Sequence, residues 1–186
     1  VAAQRVRAHE LGKALGMNMA HYEKGDKCVK SLDFTDSAKV IFEPASSFMG
    51  DEEDYIKVVE KLEELCPKAI PDYIKMIFLD TITANPDRHT GNFGLMRDVK
   101  SGELLGLAPN FDNNMALIAR GYPTSKSAND LLITLFNELM GKYPEYKEYL
   151  PKVTEQMIKK VISKINMKVK SQVIVDFVMN RYQAIK

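Results

Sequence analysis

Two short stretches concentrate oxygen-bearing side chains: Asn85-Pro86-Asp87-Arg88-His89-Thr90-Gly91-Asn92-Phe93-Gly94, and Asn110-Phe111-Asp112-Asn113-Asn114. Two carboxylates, Asp87 and Asp112, with the amide oxygen of Asn92 form a donor set that suits a hard divalent cation such as magnesium. Phosphate oxygens and waters would complete its octahedron. The order also carries information. An Asp, an Asn five residues later, then a hairpin and a second Asp is the order of base, metal-binding amide and metal-binding carboxylate in phosphotransferases of the protein kinase type. Read alone, Asp87 is better taken as an ordinary helix or turn cap after Asn-Pro, so the argument rests on the three together.

The elements around these stretches must bring them into contact. Tyr73, Ile74, Ile77, Phe78 and Ile82 recur at helical spacing after Pro71, so a helix ends just before Asn85-Pro86. Two apolar runs, Phe93 to Met96 and Leu104 to Ala108, flank Lys100-Ser101-Gly102 and read as a β-hairpin. A hairpin joins its two ends, which sets Asp87 and Asn92 near Asp112 despite 25 and 20 residues of separation. His89 and Arg88 suit bracing of the loop by hydrogen bonds and ion pairing. Asn113 and Asn114 suit a left-handed turn.

The remainder reads as mostly helical. Val1 to Gly16 carries a helical stripe (Val6, Ala8, Leu11, Leu15) with Gly16 at its end, and Asp51 to Leu65 is a helix with an acidic first turn. Lys27 to Leu32 and Lys39 to Phe42 read as a small strand pair, and Glu43 to Gly50 as a linker. Three further stripes follow, in 131–139, 157–165 and 173–185. His9 and His21 stand apart from the cluster and read as surface or satisfied core residues.

Composition narrows the function classes. The chain has 186 residues, 45% hydrophobic, with 26 basic and 25 acidic side chains and a net charge of +1. That is one domain, or a large one with a small appendage. No apolar run approaches the roughly 18 residues of a membrane span, and the charge balance gives no global attraction to nucleic acid. Cys28 and Cys66 lack the spacing of a disulfide framework or zinc site and suit a reducing cytoplasm. No secretory signal is visible at the start. Charge is uneven along the chain, acidic over 51–64 and lysine-rich over 151–170, as solvated helix faces often are.

Asn85-x-Asp87-Arg88-His89-x-x-Asn92-Phe93-Gly94, followed by Leu107-Ala108-Pro109-x-Phe111-Asp112-Asn113, resembles the catalytic segment of HipA-like serine/threonine kinases. These are the toxin kinases of bacterial persistence modules, distantly similar to phosphatidylinositol kinases. About thirty residues carry the likeness closely, and the order of elements extends it loosely over the chain. The resemblance implies an α+β, mainly α, protein-kinase-like fold: residues 1–46 a remnant of the small lobe, 47–186 a helical large lobe with the catalytic hairpin. It implies Asp87 as base, Asn92 and Asp112 as magnesium ligands on the nucleotide, and the segment around Glu43 to Ser46, with Glu43 and Ala45, as the hinge whose backbone meets adenine. ATP and Mg2+ would be the cofactors, a protein hydroxyl the substrate, and an antitoxin or DNA-binding protein the partner. No membrane or direct nucleic-acid contact is expected.

The sequence has no G-x-G-x-x-G, and no lysine precedes the first helix. The chain as given is therefore expected to begin after the phosphate-gripping strands and to have weak activity or none. Two alternatives stay open: a non-catalytic pseudokinase or regulatory module, and a metal-dependent phosphohydrolase built on Asp87, His89 and Asp112.

Overall fold

A computed structural model of the chain describes residues 2–24, 26, 28–113, 115–117, 130–164 and 170–185. Its organising element is helix α4 (Ile70–Thr83), which is apolar on nearly every side and therefore lies inside the protein rather than on it. Tyr73, Ile74, Met76, Ile77, Phe78, Leu79 and Ile82 are all essentially inaccessible to solvent. Around it pack α1 (Ala2–Ala14), α3 (Tyr55–Leu65), α5 (Leu131–Lys142) and α7 (Ser171–Ala184). Helix α6 (Glu155–Ser163) lies against α1 and α7, and a 3-10 segment, Pro144–Tyr149, joins α5 to the following loop.

Several helix boundaries follow from capping chemistry. Asp54 caps α3, its Oδ1 accepting from the Ile56 and Lys57 amides at 2.9 and 3.0 Å, so the acidic run 51–54 lies ahead of the helix rather than in its first turn. Helix α1 stops where Gly16 takes a left-handed φ of 72°. Asp130 caps α5 and is clamped by the buried Arg181 of α7, whose Nε donates to the Thr81 carbonyl of α4 at 2.6 Å. Burial alone would raise the Asp130 pKa, but the hydrogen bonds and charge of Arg181 outweigh it and hold the carboxyl below its usual range.

Among the described residues, five strands make two antiparallel sheets. β1 (Tyr22–Lys24) pairs with β2 (Val29–Ser31), while β3 (Val40–Pro44), β4 (Gly94–Asp98) and β5 (Leu104–Leu107) form a second sheet in that order. The hairpin β4–β5 is the one expected, with Gly102 at φ 74° in its turn. The early strands differ from expectation, because the two runs expected to pair belong to different sheets: β2 pairs back onto residues 22–24, and β3 joins the hairpin. The chain between them is turned away by Asp36, Ser37 and Ala38, all at positive φ, and Phe42 then packs with Phe34 and Phe111. The expected linker 43–50 is instead the end of β3 followed by a one-turn helix, α2 (Ser46–Met49). The expected stripe residue Ile165 lies outside the described residues. Among the described residues, no helix is long and apolar enough to cross a membrane.

Candidate active site

The site is built on a charge buried in the apolar helix. Asp80 of α4 has no solvent exposure, and a lone carboxylate there would be costly without a partner. Arg88 is that partner. Its Nε donates to Asp80 Oδ2 at 2.7 Å and its Nη2 to Asp80 Oδ1 at 3.1 Å, with Asn85 Nδ2 adding a third donor at 2.8 Å. To reach this position the chain reverses immediately after α4: Ala84 adopts a left-handed conformation and the Asn85 amide bonds back to the Asp80 carbonyl.

The rest of the Arg88 guanidinium joins the two stretches singled out in the sequence. Nη1 donates to the carbonyl of Asn92 at 2.8 Å and to that of Phe111 at 2.7 Å, so both loops meet at a single nitrogen. Nη2 also reaches Asn110 Oδ1 and Asn113 Oδ1, each at 3.0 Å. Burial alone would lower the Arg88 pKa, but Asp80, and the more distant charge of Asp112, reverse this and raise it, so the cation is permanent. A planar fork of donors fits this role as a lysine could not.

Asp87, Asn92 and Asp112 are carried by this node. Asn92 is buried, and its Nδ2 donates to the Asp87 carbonyl at 2.8 Å, which leaves Oδ1 as the amide atom able to act as a ligand. Asp87 and Asp112 are each half-buried. The left-handed residue of the second stretch is Asp112, at φ 53°, rather than Asn113, which is buried and bonded to Arg88 and Asn110; Asn114 lies outside the described residues. His89 is exposed and its Nδ1 accepts from the Gly91 amide at 3.1 Å, bracing the turn. The loop is tied down further by Thr90, whose hydroxyl donates to the Gly50 carbonyl and whose own carbonyl accepts from Ser46.

An amide oxygen and a carboxylate from two loops fit magnesium in the chemistry of the donor set, because that ion keeps waters and phosphate oxygens for its other positions. A closed all-protein metal cage is a different matter: among the described residues, no group of three His, Cys, Asp or Glu side chains could hold an ion, so Asp87, His89 and Asp112 do not form the cluster that the phosphohydrolase reading needs.

The segment expected to act as hinge is engaged within the fold. The Glu43 carboxylate forms a two-pronged pair with Arg97 of β4, with Nη2 to Oε2 at 3.0 Å, and Arg97 lowers the Glu43 pKa against the opposing effect of burial. Ala45 is fully buried; its amide donates to the Phe93 carbonyl and its carbonyl accepts from Phe48 and Met49.

Two contributors escaped the sequence reading, and a third was read differently. Asp80 had a signal, as an acid deep in an apolar helix whose other acid, Asp72, lies in its first turn, but Tyr22, whose hydroxyl accepts from the Asp112 amide at 3.3 Å, had none. His9 is buried, not satisfied: both ring nitrogens lack a hydrogen-bond partner, and the ring packs edge-on to Tyr22 at 5.1 Å.

No family model matches the sequence, and no curated protein matches it. Among solved structures, the fold matches a Helicobacter pylori proinflammatory kinase, CtkA, with a TM-score of 0.74 at 16% identity, over 99% of this chain and 83% of that one. It also aligns with a Shewanella oneidensis MR-1 structure of the toxin–antitoxin proteins HipA and HipB with operator DNA, at a TM-score of 0.49 and 12% identity, over 98% of this chain and 55% of that one. The first likeness establishes a kinase-like fold along almost the whole chain, in agreement with the resemblance in the sequence.

Proposed function

We propose that the chain is an ATP- and magnesium-dependent phosphotransferase, a HipA-like protein serine/threonine kinase whose residues 1–46 belong to the small lobe and 47–186 to the large one. The observation that carries the reading is the Arg88 node, which draws the Asp87–Asn92 loop and the Asn110–Asp112 segment onto one guanidinium. Asp87 orients the incoming hydroxyl and accepts its proton. Asn92 Oδ1 and the Asp112 carboxylate hold magnesium, which when bound neutralises charge on the nucleotide phosphates. Arg88 and Asp80 hold these groups rigidly, and rigidity matters because catalysis of this class is mostly positioning and charge stabilisation. An antitoxin or DNA-binding partner belongs to the same proposal, as the resemblance in the sequence implies.

A labelled γ-phosphate transfer assay tests it. Magnesium-dependent labelling of a protein hydroxyl, abolished in Asp87→Ala and Asp112→Ala variants that remain folded, is the expected result; no labelling and no thermal stabilisation by ATP with magnesium would refute it. One observation favours the non-catalytic alternative. The backbone polar groups of Ala45 are already bonded within the chain, so adenine recognition there needs the loop to open or a different contact. A folded chain that neither binds ATP with magnesium nor transfers phosphate would select that reading.

A further inference from the structure

The segment that follows α1 runs beside the second loop as a short parallel ladder. The Asn110 amide donates to the Asn18 carbonyl at 2.8 Å, and the Ala20 amide donates to the Asn110 carbonyl at 2.9 Å, around a bridge between Met19 and Asn110. In a regular parallel ladder the next rung would run from the Asp112 amide to the Ala20 carbonyl. It does not. The Asp112 backbone turns to φ 53°, and its amide donates instead to the Tyr22 hydroxyl at 3.3 Å.

We infer that Tyr22 is a positioning residue for Asp112: its hydroxyl takes the place of the missing rung, terminates the ladder and fixes the left-handed turn that presents the Asp112 carboxylate to a divalent cation. Three features support a held tyrosine over a chance contact. The contact joins residues 90 positions apart. The ring is backed edge-on by His9, which is itself buried on α1 and makes no hydrogen bond that would draw it elsewhere. A non-glycine residue at positive φ is disfavoured and persists where its surroundings fix it, and the hydroxyl supplies that constraint from outside the loop. Helix α1 is thereby coupled to Asp112 through His9 and Tyr22.

This role rests on the phosphotransferase reading, and Tyr22→Phe tests it, because the ring and its contact with His9 remain while the hydroxyl is lost. Two measurements on the full chain are needed: amide hydrogen exchange at Asp112, and the Mg2+ concentration giving half-maximal ATP binding. Both are expected to worsen by roughly three- to tenfold, the change carried by one ordinary hydrogen bond. Exchange at Asn110 and Ala20, and ATP affinity at saturating Mg2+, are expected to stay unchanged, which a general loss of folding would not permit. Wild-type exchange at Asp112, or an unaltered Mg2+ requirement, in Tyr22→Phe would overturn the role of Tyr22 alone. A wild-type chain with no Mg2+-dependent ATP binding would instead sink the phosphotransferase reading and this role with it.

Discussion

Replacing Arg88 by methionine removes the centre of the site while keeping most of the side chain's apolar length. Six hydrogen bonds go: two to Asp80, one each to the Asn92 and Phe111 carbonyls, and one each to the Asn110 and Asn113 side chains. The larger loss is electrostatic. Asp80 has no solvent exposure, so the variant leaves a buried carboxylate with only the Asn85 amide. Removing one partner of such a pair costs about 3–5 kcal/mol. For a chain of this length that corresponds to a fall in Tm of about 6–20 °C. Urea and thermal unfolding followed by circular dichroism measure it. The double variant Asp80→Asn with Arg88→Met has no buried charge and is expected to recover part of the stability. It should not recover the site, because the Asn92 and Phe111 carbonyls still lose their shared donor. A single variant within about 1 kcal/mol of wild type, or a double variant no more stable than the single, would refute the reasoning.

Two glycines give opposite expectations for the same change. A Cβ at Gly94 would sit 2.0 Å from the Glu43 backbone carbonyl, so Gly94→Ala must separate β3 from β4 and is expected to destabilise by about 1–3 kcal/mol in urea unfolding. A Cβ at Gly12 meets mainly the end of the Met19 side chain, which can move, and the gain in helix propensity offsets the shift; Gly12→Ala should unfold within about 1 kcal/mol of wild type. His9 sets an acid limit. Burial, then the nearby Lys13 charge, lower its pKa from the ordinary value of 6.5 to about 4, against an opposing pull from Glu10 and with a smaller lowering from His21. The unfolded chain thus binds a proton that the folded chain refuses, and stability should fall as pH drops from about 6.5 towards 4. His9→Phe should flatten that part of the profile; an unchanged slope in equilibrium unfolding would contradict the assignment.

The helices were legible because apolar spacing and capping residues are local. The β4–β5 hairpin announced itself through Lys100-Ser101-Gly102, and Asp87, Asn92 and Asp112 through their order. Strand pairing was less legible: the run 39–42 looks like a natural partner for 27–32, and nothing local shows that three consecutive residues at positive φ send it to β4 instead. The scaffold of the site was hidden for a similar reason. Arg88 was visible, but its partners at positions 80, 92, 110, 111 and 113 are fixed by the reversal at Ala84 and by the hairpin register. Tyr22 reaches Asp112 only because a parallel bridge at Met19 and Asn110 aligns the two segments, and a single isolated bridge leaves no pattern in the sequence.

The central claim is that Asn92 and Asp112 converge on one ion. Substituting paramagnetic Mn2+ for Mg2+ in the presence of ATP, and recording which nuclear magnetic resonance signals broaden, tests it most directly. Selective broadening at the Asn92 side-chain amide and the Asp112 backbone amide, lost in Asp112→Asn, is the predicted result. Broadening that leaves both signals sharp, or that centres on another part of the chain, would contradict it.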